Sequence, residues 1–139
     1  EQILDPLKLK KLYNKSVKNL SGGELQKVAI ASCLLQKVDL YALDEPSAFL
    51  DVEDRIAVAK FLQKFVRSFG KSAIIIDHDL QLMDLVSDSM VIFEGTSSVE
   101  GIATSPMPKK HAMNPQNPKT PHMWVLYYSL NKFDIPQNN

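Results

Sequence analysis

Residues 40–51, Leu-Tyr-Ala-Leu-Asp-Glu-Pro-Ser-Ala-Phe-Leu-Asp, end an apolar run on two adjacent carboxylates, Asp44 and Glu45. An acidic residue at the end of a buried strand suits Mg²⁺, which takes oxygen ligands and keeps most of its waters. The carboxylate beside it can orient and deprotonate an attacking water. That division makes Asp44 the metal ligand and Glu45 the general base. The alternative is that both carboxylates cap the turn at Pro46, although Pro46 and Asp51 extend the pattern beyond a simple cap. A second apolar run, residues 74–79, ends Asp-His-Asp and places His78 where an imidazole can hydrogen-bond a γ-phosphate and the attacking water. Read alone, Asp-His-Asp also fits a metal-dependent phosphohydrolase, or a histidine with a purely structural role. The phosphohydrolase needs further histidine ligands, and only His111 and His122 remain, both in a proline-rich stretch.

A third segment, Asn-Leu-Ser-Gly-Gly-Glu-Leu-Gln-Lys-Val at residues 19–28, opens a helical pattern. Ser21 and Glu24 fit the S-x-x-E capping box, in which the two side chains satisfy orphan backbone donors at a helix start. A capping box requires neither Gly22 nor Gly23. Glycines at a helix N-terminus let a ligand approach free N–H groups at the positive end of the dipole, which attract phosphate. From these ten residues alone, cap and phosphate contact remain equally open.

The elements that must position these groups follow from periodicity. Val28, Ala29 and Leu35 recur at helical spacing after Leu25 and predict a helix from about Gly22 to Lys37. Residues 39–43 predict a buried strand, and Pro46 stops it. Val58, Phe61, Leu62, Phe65, Val66 and Phe69 predict a helix over about 52–69, with Gly70 as its C-cap. Residues 72–77 form a β-branched run, residues 80–86 a short helix, and Met-Val-Ile-Phe-Glu-Gly at 90–95 a third strand. Strand, helix, strand, helix, strand is the order of an α/β fold with a parallel sheet and crossover helices. Such sheets bind ligands beyond the carboxyl ends of their strands, where Asp44, Glu45, Asp77 and His78 fall.

Composition sets the outer limits. The chain has 139 residues, 45% of them hydrophobic, enough for one modest core. Sixteen basic residues balance sixteen acidic ones, so bulk attraction to nucleic acid or to an anionic membrane is not indicated. Cys33 is the only cysteine, so there is no internal disulfide framework, and a reducing compartment fits. No apolar run of membrane-spanning length and no secretory pattern occurs, which reads as a soluble intracellular chain. Residues 1–102 form the domain. Residues 103–139 hold six of the eight prolines, four lysines and one acid, Asp134, and predict a mostly extended tail, within which Met-Trp-Val-Leu-Tyr-Tyr-Ser-Leu can be a strand or a docking segment.

Taken in order, Leu-Ser-Gly-Gly-Glu, the 40–51 segment and Ile-Ile-Ile-Asp-His-Asp resemble the ATP-binding-cassette ATPases over about residues 15–100. The resemblance implies a partial P-loop NTPase-like sheet, with Leu20 to Glu24 as signature loop, Leu40 to Glu45 as Walker B strand, Ala48 to Asp51 as D-loop and His78 as switch histidine. It also implies ATP and Mg²⁺ as ligands: Glu45 and His78 catalytic, Asp44 on the metal, and Ser21, Gly22, Gly23, Glu24 and Asp51 facing nucleotide held by an opposing cassette. Glutamate after the paired glycines, Asp-Glu-Pro-Ser-Ala-Phe-Leu-Asp and Ser-Asp-Ser-Met-Val-Ile-Phe-Glu-Gly are most similar to the soluble, cytoplasmic ABC-E subfamily, also called RNase L inhibitor. Phe-Glu-Gly resembles its second cassette, and His111 to Asn114 its hinge. Those proteins are twin-cassette ATPases of ribosome recycling. The resemblance therefore implies a second cassette, a ribosomal subunit and release or initiation factors as partners, and no membrane.

No G-x-x-x-x-G-K-[ST] phosphate loop occurs in the sequence, nor do the family's Q-loop or iron–sulfur cysteines, whose clusters would lie outside this chain. The sequence thus resembles the C-terminal half of a cassette, with the first strand and Walker A missing, and is not expected to complete an ATP site alone. Two rival functions stay open: a non-catalytic module that docks on a ribosome or partner cassette, and a DNA-maintenance ATPase of the same family. Lacking the strand before the phosphate loop, the sheet is expected to expose an unpaired edge and to be marginally stable or self-associating in isolation.

Overall fold

The computed structural model describes residues 2–96, 99–113 and 124–129. Helix α1 spans Gly22–Leu34 and strand β1 Leu40–Asp44; helix α2 spans Val52–Ser68 and strand β2 Ser72–Asp77. Helix α3, Leu80–Val86, leads to β3, Ser89–Thr96, and β4, Glu100–Ala103. Two short elements, β5 at Met107–Pro108 and α4 at Lys109–Ala112, precede β6 at Trp124–Ser129.

The helices start where the sequence supplies caps. Ser21 Oγ accepts from the Glu24 amide at 3.2 Å while the Glu24 carboxylate accepts from the Ser21 amide at 3.0 Å, so the capping box is formed. Helix α1 ends at Leu34, a turn earlier than periodicity suggested. At the start of α2 the Asp51 carboxylate accepts from the Asp54 amide at 2.8 Å, and at its end Gly70 has φ 60°, the left-handed conformation glycine adopts without a Cβ penalty. The apolar stripe of α2, Val58, Ala59, Phe61, Leu62, Phe65 and Val66, is buried. Phe61 and Phe65 continue to Phe69, just past the helix, in a tilted aromatic row, and Tyr41 of β1 meets Phe65 edge-on.

The sheet runs β1-β2-β6-β3-β4, with β5 also on β3. Strands β1 and β2 are parallel, from Leu40 opposite Ser72 to Asp44 opposite Ile76. The sheet is nonetheless mixed. Strand β3 runs in the same direction as β2 but does not touch it, because β6 lies between them, antiparallel to both. Ile75, Tyr127 and Met90 sit in one cross-strand row, as do Ile76, Leu126 and Val91. No 3.6 or 2.0 periodicity in residues 40–95 announces this strand; the local order of elements suggests direct β2–β3 neighbours, and only the tail supplies the residues that part them. Segments on both sides of residue 103 therefore pair into one sheet, whose outer edges are β1 and β4. Among the described residues no helix is long and apolar enough to cross a membrane.

Candidate nucleotide site

Parallel β1 and β2 end side by side, which brings the two acidic strand ends together. Glu45, one residue past β1, has φ 46°, and its amide donates to the Ile76 carbonyl at 2.7 Å. His78, one residue past β2, places Nδ1 3.7 Å from Glu45 Oε1 and 4.0 Å from Asp77 Oδ1. Both side chains are open to solvent, at 41% and 68% exposure, whereas Asp77 is wholly buried. Asp44 is exposed at the last position of β1, next to this pair in sequence. A solvent-facing carboxylate at that position has the chemistry of a Mg²⁺ ligand that shares the ion with phosphate and water.

The glycine pair lies on the other side of the loop formed by residues 45–51. An open groove of about 470 Å³ is lined by Lys11, Ser21, Gly22, Gly23, Lys27 and Asp51, with Glu24, Phe49 and Asp54. Gly22 is exposed and Gly23 half-buried, so the glycines are not sealed in a core. Gln26 joins the two faces: its Nε2 donates to the Glu45 carbonyl at 3.1 Å. The ammonium of Lys15, 2.8 Å from Glu24 Oε1, and the Ser21 amide hold the Glu24 carboxyl below its ordinary value. Lys27 is buried and donates to Asp54 Oδ2 at 2.6 Å, tying α1 to the first turn of α2.

These observations can be set beside known proteins. The ABC transporter family model matches residues 1–48. An uncharacterized ABC transporter ATP-binding protein of Methanocaldococcus jannaschii is 44% identical over 113 residues, covering 81% of this chain and 19% of that protein. Translation initiation factor RLI1 of Chaetomium thermophilum is 38% identical over 82% of this chain and 18% of its own length. The solved archaeal ribosome recycling factor aABCE1, in complex with the ribosomal stalk protein aP1, superposes with a TM-score of 0.77 at 38% identity, over 93% of this chain and 26% of that one. The chain belongs to the ATP-binding-cassette family. Within it the resemblance is to the ABC-E, or RNase L inhibitor, proteins, and the chain spans about a fifth of the length of the curated relatives it matches.

In this cassette segment the paired glycines have a use that the sequence did not reveal. A Cβ on Gly23 would stand 2.8 Å from the Phe49 carbonyl oxygen, and one on Gly22 3.2 Å from the Phe49 Cβ. The backbone of the 45–51 loop thus packs directly on the start of α1, at a distance only glycine permits. Gly23→Ala is expected to lower stability by about 1–3 kcal/mol because the obstructing atom is backbone. Gly101→Ala, where a Cβ meets nothing within 4 Å, should stay within about 0.5 kcal/mol of wild type when both variants are compared by urea titration.

Sequence reasoning passed over Ser47 and Arg55, and it placed Asp77 and Asp79 beside His78 without finding their partners. Ser47 is buried and donates to Asp77 from both its amide, at 3.0 Å, and its hydroxyl, at 2.8 Å. Asp79 caps α3 by accepting from the Gln81 and Leu82 amides, and it pairs with Arg55 Nη1 at 2.7 Å. Burial pushes the Asp79 carboxyl up, but the Leu82 amide, the Arg55 guanidinium and the Gln81 amide together hold it below its ordinary value. The available signal was strand alternation: Ala73, Ile75 and Asp77 fall on one face, so Asp77 had to be buried with them.

Proposed function

We propose that this chain supplies one half of an ATP-hydrolysis site of an ABC-E cassette. Glu45 is the base that takes a proton from water attacking the γ-phosphate, and His78 hydrogen-bonds that phosphate. Mg²⁺, held by Asp44 among the chain's residues, would neutralise charge developing on the phosphate oxygens. Ser21, Gly22, Gly23, Glu24 and Asp51 face nucleotide bound by a second cassette, and Gln26 links that face to the base. The 3.7 Å approach of His78 to Glu45 supports this reading most directly, because it joins the ends of two strands 33 residues apart in sequence. Phe49, which lines the groove, and Leu25 and Val52, next in sequence to its lining residues Glu24 and Asp51, are exposed by 80%, 47% and 61% and offer apolar surface suited to a protein partner. Relatives named for translation initiation and ribosome recycling support coupling of hydrolysis to separation of ribosomal subunits, with release or initiation factors nearby.

A second reading is a ribosome- or cassette-docking module without catalysis, which the exposed apolar side chains of Leu25, Phe49 and Val52 would suit. Photolabelling with an azido derivative of ATP in the presence of Mg²⁺ separates the two. Labelling of residues 20–24 that depends on an added cassette polypeptide carrying G-x-x-x-x-G-K-[ST] is expected under the first reading. Co-sedimentation with ribosomes that is indifferent to ATP, with no labelling, would establish the second.

A further inference from the structure

Residues 45–51 form a loop that its own backbone does not favour. Glu45 and Phe49 both hold left-handed conformations, φ 46° and 61°, although neither is glycine. Such residues persist only where the surroundings over-determine them. The surroundings here are a line of polar groups outside the reacting pair. At the near end of the loop, Asp77 Oδ2 accepts from the Ser47 amide and Asp77 Oδ1 from the Ser47 hydroxyl. Asp77 Oδ1 also accepts from the Asp79 amide at 2.9 Å. At the far end, Arg55 Nε donates to the Leu50 carbonyl at 2.9 Å, while its Nη1 is held by the Asp79 carboxylate. The line Ser47, Asp77, Asp79, Arg55, Leu50 thereby fastens both ends of the loop to the residues that flank His78.

Asp77 is the centre of this arrangement. Its carboxylate has no exposed surface, and it accepts from three neutral donors, the Ser47 amide, the Ser47 hydroxyl and the Asp79 amide. A buried carboxylate is costly unless its oxygens are satisfied, and an asparagine in its place would satisfy them only in part, since one oxygen becomes an NH₂ that faces an N–H or O–H donor. We propose that Asp77 is a positioning residue for the Glu45–His78 pair: by gripping Ser47, with Asp79 and Arg55 gripping Leu50, it keeps the loop wound so that Glu45 stands beside His78. The proposal rests on the reading that Glu45 and His78 act together on a phosphoryl group. Neither Asp77 nor Asp79 then needs to touch a metal, although an Asp-His-Asp sequence invites that assignment.

Hydrogen exchange followed by mass spectrometry on the 139-residue chain tests this without nucleotide. Asp77→Asn and Ser47→Ala are expected to speed exchange of peptides within 45–51 by at least about tenfold, because a charge-assisted or hydroxyl clamp is lost there. Peptides from 56–66 in α2 should keep their wild-type rates, and Ser47→Thr, which retains the hydroxyl, should restore protection of the loop. Unchanged loop exchange in both clamp variants would overturn the proposal, as would faster exchange spread evenly over the chain. Should Asp77→Asn fail to fold, the Ser47→Ala and Ser47→Thr pair decides by the same criterion. Loop release with catalysis unaffected by changes at Glu45 would leave this clamp standing and remove the catalytic reading instead.

Discussion

In an assembly competent for ATP turnover, with the phosphate loop supplied by a joined or added cassette polypeptide, Glu45→Gln is expected to reduce steady-state hydrolysis by about 100-fold or more. The amide matches the carboxylate in size and keeps an acceptor for water, so bound water can still be oriented. It cannot accept the proton that leaves as the water attacks. The contacts that shape the local backbone, the Glu45 amide on Ile76 and the Glu45 carbonyl on Gln26, use no side-chain atom of Glu45 and should survive the substitution. ATP binding, read by photolabelling, should accordingly remain near wild type while turnover falls. Hydrolysis within about threefold of wild type would place the base elsewhere.

Deleting residues 114–139 should broaden unfolding and shift it to lower urea than in the 139-residue chain. Strand β6 pairs with β2 from Asp77 opposite Val125 to Ala73 opposite Ser129, and with β3 from Phe93 opposite Trp124 to Ser89 opposite Tyr128. Each backbone hydrogen bond contributes about 0.5–1.5 kcal/mol net, so two five-residue ladders carry stability comparable to the whole margin of a small domain, about 5–15 kcal/mol. The loss also leaves Ile75, Met90 and Ile92, now buried, beside an open gap. Urea titration followed by circular dichroism, with light scattering for size, should show a broad, early transition and association in the truncated chain. A sharp transition at the full-length midpoint would mean that β6 contributes nothing to the sheet.

The juxtaposition of Glu45 and His78 was legible because both follow strand ends. An apolar run that stops at Asp44 and another that stops at Asp77 need only a parallel pairing in register to bring Glu45 beside His78, and a helix between them makes that pairing the natural one. The capping box was equally plain, since Ser21 and Glu24 interact within one turn. What escaped notice depends on contacts distant in sequence. Ser47 and Asp77 are 30 residues apart, and Arg55 and Asp79 are 24 apart; nothing local in either segment says that a serine hydroxyl will face a buried carboxylate. That the glycines also make room for the backbone of Phe49 could not be read locally, because Phe49 lies on a different element. Local order gave the direction of β3 but not its neighbour, because the strand between β2 and β3 comes from the tail.

That late strand dictates an order of events when the chain folds. Helices α1 to α3, together with β1 and β2, can consolidate from contacts close in sequence, but the joint between β2 and β3 waits for residues about 50 positions downstream of Asp77. Joints of such high contact order form slowly. Until then the inner edge of β2 offers Ile74 to Asp77 to any extended segment nearby. During synthesis from the N-terminus, the nascent domain therefore passes through an interval in which its centre, rather than its rim, is the surface most in need of a chaperone.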